Sequence, residues 1–137
     1  MFRSSWRGKF PDLRGVNIFV VDPLKCSVRQ KRRFDTHGNG NAARHLSSYL
    51  QKLKRGSIIV GVTADEPTKR LASALPTLKS IGVNVADVTH RGAFAFLAQK
   101  GFPAKTVLRK ARTWQQGLKR QPHFRATVVG TFVVMCR

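Results

Sequence analysis

The chain has 137 residues, 42% of them hydrophobic, with nine Phe and two Trp, which is enough apolar surface for one compact core and excludes a disordered tail or a fold held by disulfides alone. Its 26 Lys and Arg face only 6 Asp and Glu, a formal charge of +20 at pH 7; that excess opposes compaction and favours contact with polyanions through steering and counterion release. The longest apolar runs, Ser57 to Thr63 and Ala126 to Met135, fall well short of the roughly 20 residues a membrane-spanning helix requires, so no membrane insertion is expected.

Residues 1–12 are basic and aromatic and lack the apolar stretch of a signal peptide, so a secreted form would already have lost its leader; residues 13–137 read as a single domain. Val16 to Val21 predicts a buried strand between Gly15 and the turn Asp22-Pro23, and Val28 to Phe34 a second, highly basic strand that closes a hairpin. Ala43, Leu46, Tyr49, Leu50 and Leu53 recur at helical spacing, predicting an amphipathic helix that Asn41 caps and Gly56 ends. Ser57 to Thr63, β-branched and apolar, predicts a central strand. It runs into Ala64-Asp65-Glu66-Pro67, where either acid can cap a helix that begins near Pro67 and carries Leu71, Ala74, Leu75 and Leu78. Pro76 predicts a kink or early break there.

Val83 to Val88 and Ala93 to Leu97 read as short strands around the polar turn Thr89-His90-Arg91-Gly92. Lys105 to Lys119 resumes helical spacing, with Lys105, Arg109 and Arg112 on one face, and Arg125 to Met135 closes as a strand bent at Gly130. Strands alternating with helices suggest a parallel doubly wound sheet, but the early hairpin and late strands argue against it. The expected class is α+β, with two small, mainly antiparallel sheets packed as a sandwich and about three flanking helices.

The carboxylates are Asp12, Asp22, Asp35, Asp65, Glu66 and Asp87. No two stand three or four residues apart, so no helix face pairs them for acid–base work. His37, His45, His90 and His123 share no metal-ligand spacing, and neither a phosphate loop nor a nucleophile elbow occurs. An enzyme is not expected, nor any metal or cofactor.

Arg14-Gly15-Val16-Asn17, Arg33-Phe34-Asp35-Thr36, Gly56-Ser57-Ile58-Ile59-Val60, Asp65-Glu66-Pro67-Thr68-Lys69, Arg91 followed by Phe94-Ala95-Phe96, and Lys100-Gly101 together resemble the interleukin-like EMT inducer domain, also called the GG domain. Their order and spacing carry the resemblance, over about Leu13 to Lys105. This domain occurs in secreted cytokine-like proteins, in the stem of a protein O-mannose N-acetylglucosaminyltransferase and in hyaluronan-handling cell-surface proteins. The resemblance implies a secreted, non-enzymatic carbohydrate-recognition or signalling module with glycan or glycoprotein partners. It also implies a sugar site at Arg14, Asp65 and Arg91. The chemistry is suitable, since a carboxylate accepts hydroxyl hydrogen bonds while guanidinium groups donate in fixed geometry. Helix capping by Asp65, with either Arg neutralising it, is the competing reading. Gly92-Ala93-Phe94 departs from the acidic, small polar and Trp residues common there in the family, which bears on the shape of the pocket.

The cations suggest further polyanion sites. Arg29, Lys31 and Arg33 would share one face of a strand, about 6–7 Å apart, and Lys105, Arg109 and Arg112 one face of a helix; solvated surfaces and a charge-protected edge are the competing readings. In the family's secreted members a Cys near the chain end bonds an upstream partner, and Cys136 is comparable, whereas Cys26 lies in a hairpin turn that does not match the family's upstream position; the two are the disulfide candidates. An internal bridge, free thiols and intermolecular bridges all remain open. The alternative function is an extracellular scaffold that self-assembles as an oligomer or filament on sulfated polysaccharide or an anionic mineral such as silica. Nucleic-acid binding rests on charge alone.

Overall fold

The computed structural model describes residues 2–3, 14–64, 67–88, 92–111 and 133–134. The strands are β1 (Phe2–Arg3), β2 (Gly15–Val21), β3 (Val28–Phe34), β4 (Ile58–Ala64), β5 (Ala93–Gln99), β6 (Val107–Ala111) and β7 (Val133–Val134). The helices are α1 (Ala42–Lys52) and α2 (Leu75–Ser80), with 3-10 turns at Ala72–Ala74 and Pro103–Lys105. A five-stranded antiparallel sheet in the order β3-β2-β4-β5-β6 forms the frame, and β1 pairs separately with β7. The class is α+β, as expected. The described residues hold one large sheet, a two-residue pairing and two α-helices, rather than two small sheets with three helices.

Every residue of β2 is buried, because the strand is paired on both edges and apolar on both faces. On one face Val16, Ile18 and Val20 join Ile59, Phe94, Phe96 and Ala98 against Leu46 and Leu50 of α1 and Leu78 of α2. Each buried Val, Ile, Leu or Phe side chain here contributes about 1.5–3 kcal/mol relative to exposure. The other face carries a second apolar cluster of Phe19, Val21, Ile58 and Val60. The hairpin between β2 and β3 is set by Asp22, whose Oδ1 accepts from the amides of Leu24 at 2.8 Å and Lys25 at 3.0 Å. Cys26 completes the turn at φ +53°.

Several expectations are corrected. Asn41 precedes α1 but makes no side-chain cap; its Oδ1 accepts instead from Arg44 Nη2. No helix starts near Pro67. The Pro67 carbonyl accepts the Thr36 hydroxyl at 2.6 Å and Arg70 N donates to Thr36 O at 2.9 Å, so this segment ties down the 35–41 loop. Helical structure begins only at Ala72, and the break comes before Pro76, which sits in the first turn of α2 where a missing N–H is not needed.

Val83 to Val88 forms no strand. Val83, Val85 and Val88 are buried while Asn84, Ala86 and Asp87 are exposed, and Val88 N donates to Val85 O at 3.0 Å, so the segment is a connector that turns at residues 86–87 and lays its valines on the core rather than a ladder strand. Residues 107–111, expected as helix, are strand β6, because the edge of β5 offers backbone partners, with Leu97 opposite Val107 and Ala93 opposite Ala111. Tertiary pairing overrides a weak local helical preference. Residues 112–119, the turn residues 89–91 and all of the expected last strand except β7 lie outside the described residues. No described helix is long and apolar enough to cross a membrane.

Candidate functional site

At the start of β2 the chain runs unusually close to the end of β3. Gly15 has φ +102°, and a Cβ there would overlap the Phe34 carbonyl and come within 2.9 Å of Asp35 Cα and Thr36 N. Only glycine permits this approach, and it brings Arg14 beside Asp35. The guanidinium and carboxylate meet edge to edge, with Nε to Oδ1 at 3.1 Å and Nη2 to Oδ2 at 2.9 Å. Oδ1 also accepts from the amides of Gly38 at 2.9 Å and His37 at 3.3 Å, and Arg33 Nη2 stands 4.0 Å from Oδ2. A Cβ on Gly38 would overlap Arg14 Nη2.

The Arg14 hydrogen bond, opposed by burial and helped by the Gly38 amide, holds the Asp35 carboxyl down to about 2. Asp35 is therefore a fixed anion at neutral pH, and it orients a guanidinium that remains 39% exposed.

Of the three expected sugar-site residues, Arg14 is described, whereas Asp65 and Arg91 lie outside the described residues. Their described neighbours share Arg14's end of the sheet. Ala64, the last residue of β4, stands opposite Gly15. Thr63 Oγ1 donates to the Phe94 carbonyl at 3.1 Å and accepts from its amide at 3.0 Å, which ties the exit of β4 to the entry of β5. Gly92 and Ala93 are buried there, and Phe94 faces the helix-side core. Sequence reasoning missed Asp35. Its signal was an acid closing a basic strand three residues before a glycine, the pattern of an Asx turn.

Arg29, Lys31 and Arg33 are exposed on β3, an edge strand. A bulge at Arg29 interrupts the ladder, and Lys31 and Arg33 stand opposite Phe19 and Asn17. Lys105 and Arg109 do not share a helix face: Lys105 ends a 3-10 turn and Arg109 lies within β6. Arg112, Cys136, His90 and His123 are outside the described residues. Among the described residues no cysteine is a free thiol, and no three His, Cys, Asp or Glu gather to hold a metal.

Residues 14–102 match the family described as interleukin-like EMT inducer. The chain belongs to that family. The interleukin-like EMT inducer match runs from Arg14 through β5 and includes Asp35, whereas β6 falls beyond it. The chain is similar to a Danio rerio protein named cell surface hyaluronidase, 32% identical over 91 residues, covering 64% of this chain and 7% of that protein. It is also similar to the Homo sapiens cell migration-inducing and hyaluronan-binding protein, 29% identical over 108 residues, covering 77% of this chain and 8% of that protein. The chain thus spans under a tenth of the length of these two relatives.

Proposed function

We propose that this interleukin-like EMT inducer domain, residues 13–137, is a secreted, non-enzymatic carbohydrate-binding or signalling module whose sugar site comprises Arg14, Asp65 and Arg91. The observation that supports this reading best is the bidentate clamp of Arg14 by Asp35 at the sheet end where β4 exits and β5 enters. A clamped guanidinium presents its donors with little ordering cost. A relative named for binding hyaluronan, and another named for the cell surface, support an extracellular polysaccharide as the ligand class.

Calorimetric titration with hyaluronan oligosaccharides and with neutral N-acetylhexosamine oligosaccharides tests the reading. Saturable binding is expected, weakened at least about tenfold by Asp65→Ala or by Arg91→Gln with the melting temperature unchanged. Wild-type-like binding by both variants, or no binding by the wild type, overturns it. The disulfide belongs to the same reading: Cys26 pairs with Cys136, supported by Cys26 not being a free thiol in a chain with two cysteines.

A second reading, a cationic scaffold assembling on sulfated glycan or silica, draws on β3, where Arg29 to Arg33 are exposed in succession and four of the five are cations. The same charges oppose filament growth through that edge. A polyanion rather than a second copy is then the partner that β3 favours.

A further inference from the structure

At the end of the sheet away from Arg14, the loop between α1 and β4 is joined to the turn between β5 and β6. Gly56 N donates to Lys100 O at 2.8 Å, Lys100 N to Ser57 O at 2.9 Å, and Gln99 Nε2 to Gly56 O at 3.2 Å. These bonds continue the β4–β5 pairing and hold the two loops in a fixed relation. Lys100 Nζ reaches the last turn of α1, donating to the carbonyls of Leu50 at 2.6 Å and Gln51 at 3.3 Å. Its charge is therefore used on the helix C-terminus.

On this platform two cations share one ring. The Arg55 guanidinium carbon lies 4.6 Å from the Phe102 centroid and Lys105 Nζ lies 5.0 Å from it. The two charges are accordingly under about 10 Å apart. Arg55 is held on a second side as well. Gly101 has φ +89°, and a Cβ there would stand 2.8 Å from Arg55 Nη1 and 2.9 Å from its Cγ, so the side chain lies along bare backbone. Lys54 is exposed beside Arg55.

Among the described residues no carboxylate balances these charges. The described acids are engaged elsewhere, Asp35 with Arg14, Asp87 with Lys110, and Asp22 with its own turn amides. Among the described residues Arg55 and Lys105 form no ion pair. Two like charges, ordered in advance and without a counter-charge among the described residues, are the arrangement an external anion stabilises.

We infer that the loop end formed by Arg55, Phe102 and Lys105 is a binding site for a linear sulfated polysaccharide, separate from the Arg14 end. A guanidinium fork fits a sulfate through two hydrogen bonds, and the ammonium beside it takes a neighbouring sulfate. A single-stranded nucleic acid is less suited, because it relies on open aromatic faces for base stacking, and the Phe102 ring carries cations.

The test is titration of the full chain with a heparin octasaccharide across a series of salt concentrations. The double variant Arg55→Gln/Lys105→Gln is expected to bind at least about tenfold more weakly, with a log–log salt slope shallower by about two. Lys69→Gln/Arg70→Gln, an equal loss of charge at the other end of the sheet, is expected to change affinity less than about threefold. On the wild type, amide chemical-shift changes should be largest at residues 54–57 and 100–106, a readout that requires no variant to fold. Equal weakening by the two double variants, shifts confined to residues 28–33, or tighter binding of an oligonucleotide of equal charge overturns the inference. Asp65→Ala should leave heparin affinity unchanged while weakening oligosaccharide binding at the Arg14 end at least about tenfold, so failure of one site is distinguishable from failure of the other.

Discussion

The Thr36 hydroxyl, in a residue with no exposed surface, donates to the Pro67 carbonyl at 2.6 Å. Together with the bond from Arg70 N to Thr36 O at 2.9 Å, it links the loop that follows β3 to residues 67–70, and thereby braces the end of the sheet that carries Arg14. Thr36→Val keeps the shape and leaves a buried carbonyl without that donor, so it should destabilise the fold by about 1–3 kcal/mol. Urea unfolding measures the change, and an unaltered midpoint would show that the contact is dispensable.

Acid should separate the contribution of Asp35 from that of the other carboxylates. Its folded-state pKa is depressed from 3.8 to about 2, so the unfolded chain takes up a proton first as the pH falls. The stability it confers is complete above about pH 4 and is lost as the pH drops towards 2. Asp35→Asn should be less stable than wild type at pH 7, by about 1–2 kcal/mol for a surface-lying bidentate pair. That gap should close near pH 2. Denaturant titrations of both proteins at several pH values give the result, and a constant gap contradicts the assigned role.

Gly61 in β4 lies against the Phe96 ring so closely that a Cβ would overlap ring carbons Cε1 and Cζ. Phe96 is fully buried in the main apolar cluster and cannot swing out. Gly61→Ala should therefore cost about 1–3 kcal/mol through overpacking, despite alanine's better strand propensity. A raised melting temperature would mean that the core yields more readily than its packing indicates.

A Cys26–Cys136 bridge would close a loop of about 110 residues, for which the chain-entropy model gives about 4–5 kcal/mol. Reduction, or Cys26→Ser, should lower the melting temperature markedly. Non-reducing electrophoresis and peptide mapping should recover a monomer with the two cysteines linked. A disulfide-bonded dimer instead assigns Cys26 to a bridge between subunits.

Local signals located β2, β3, α1, β4 and β5. Apolar runs bounded by Gly15, Asp22-Pro23 and Gly56, and the three-and-four spacing of Leu46, Leu50 and Leu53, are written within a few residues of one another. The family was legible for the same reason, since its markers are short and ordered along residues 14–102. Residues 83–88 differ from expectation because burial alone can space apolar residues like a strand, and residues 107–111 because a short apolar run fits helical spacing as well as strand pairing. The partner of Arg14 was not legible, because Asp35 stands 21 positions away and nothing local marks one basic residue among 26 as its match.

Composition, charge and hydrophobic period therefore determined the α+β class and the formal charge of +20, because those properties depend on residue type and near neighbours. Tertiary structure alone decided which edge recruits residues 107–111 as a strand, which acid holds Arg14, and that Arg55 and Lys105 meet on one ring. Those outcomes depend on backbone groups and side chains far apart in sequence, and only closure of the sheet brings them within bonding distance.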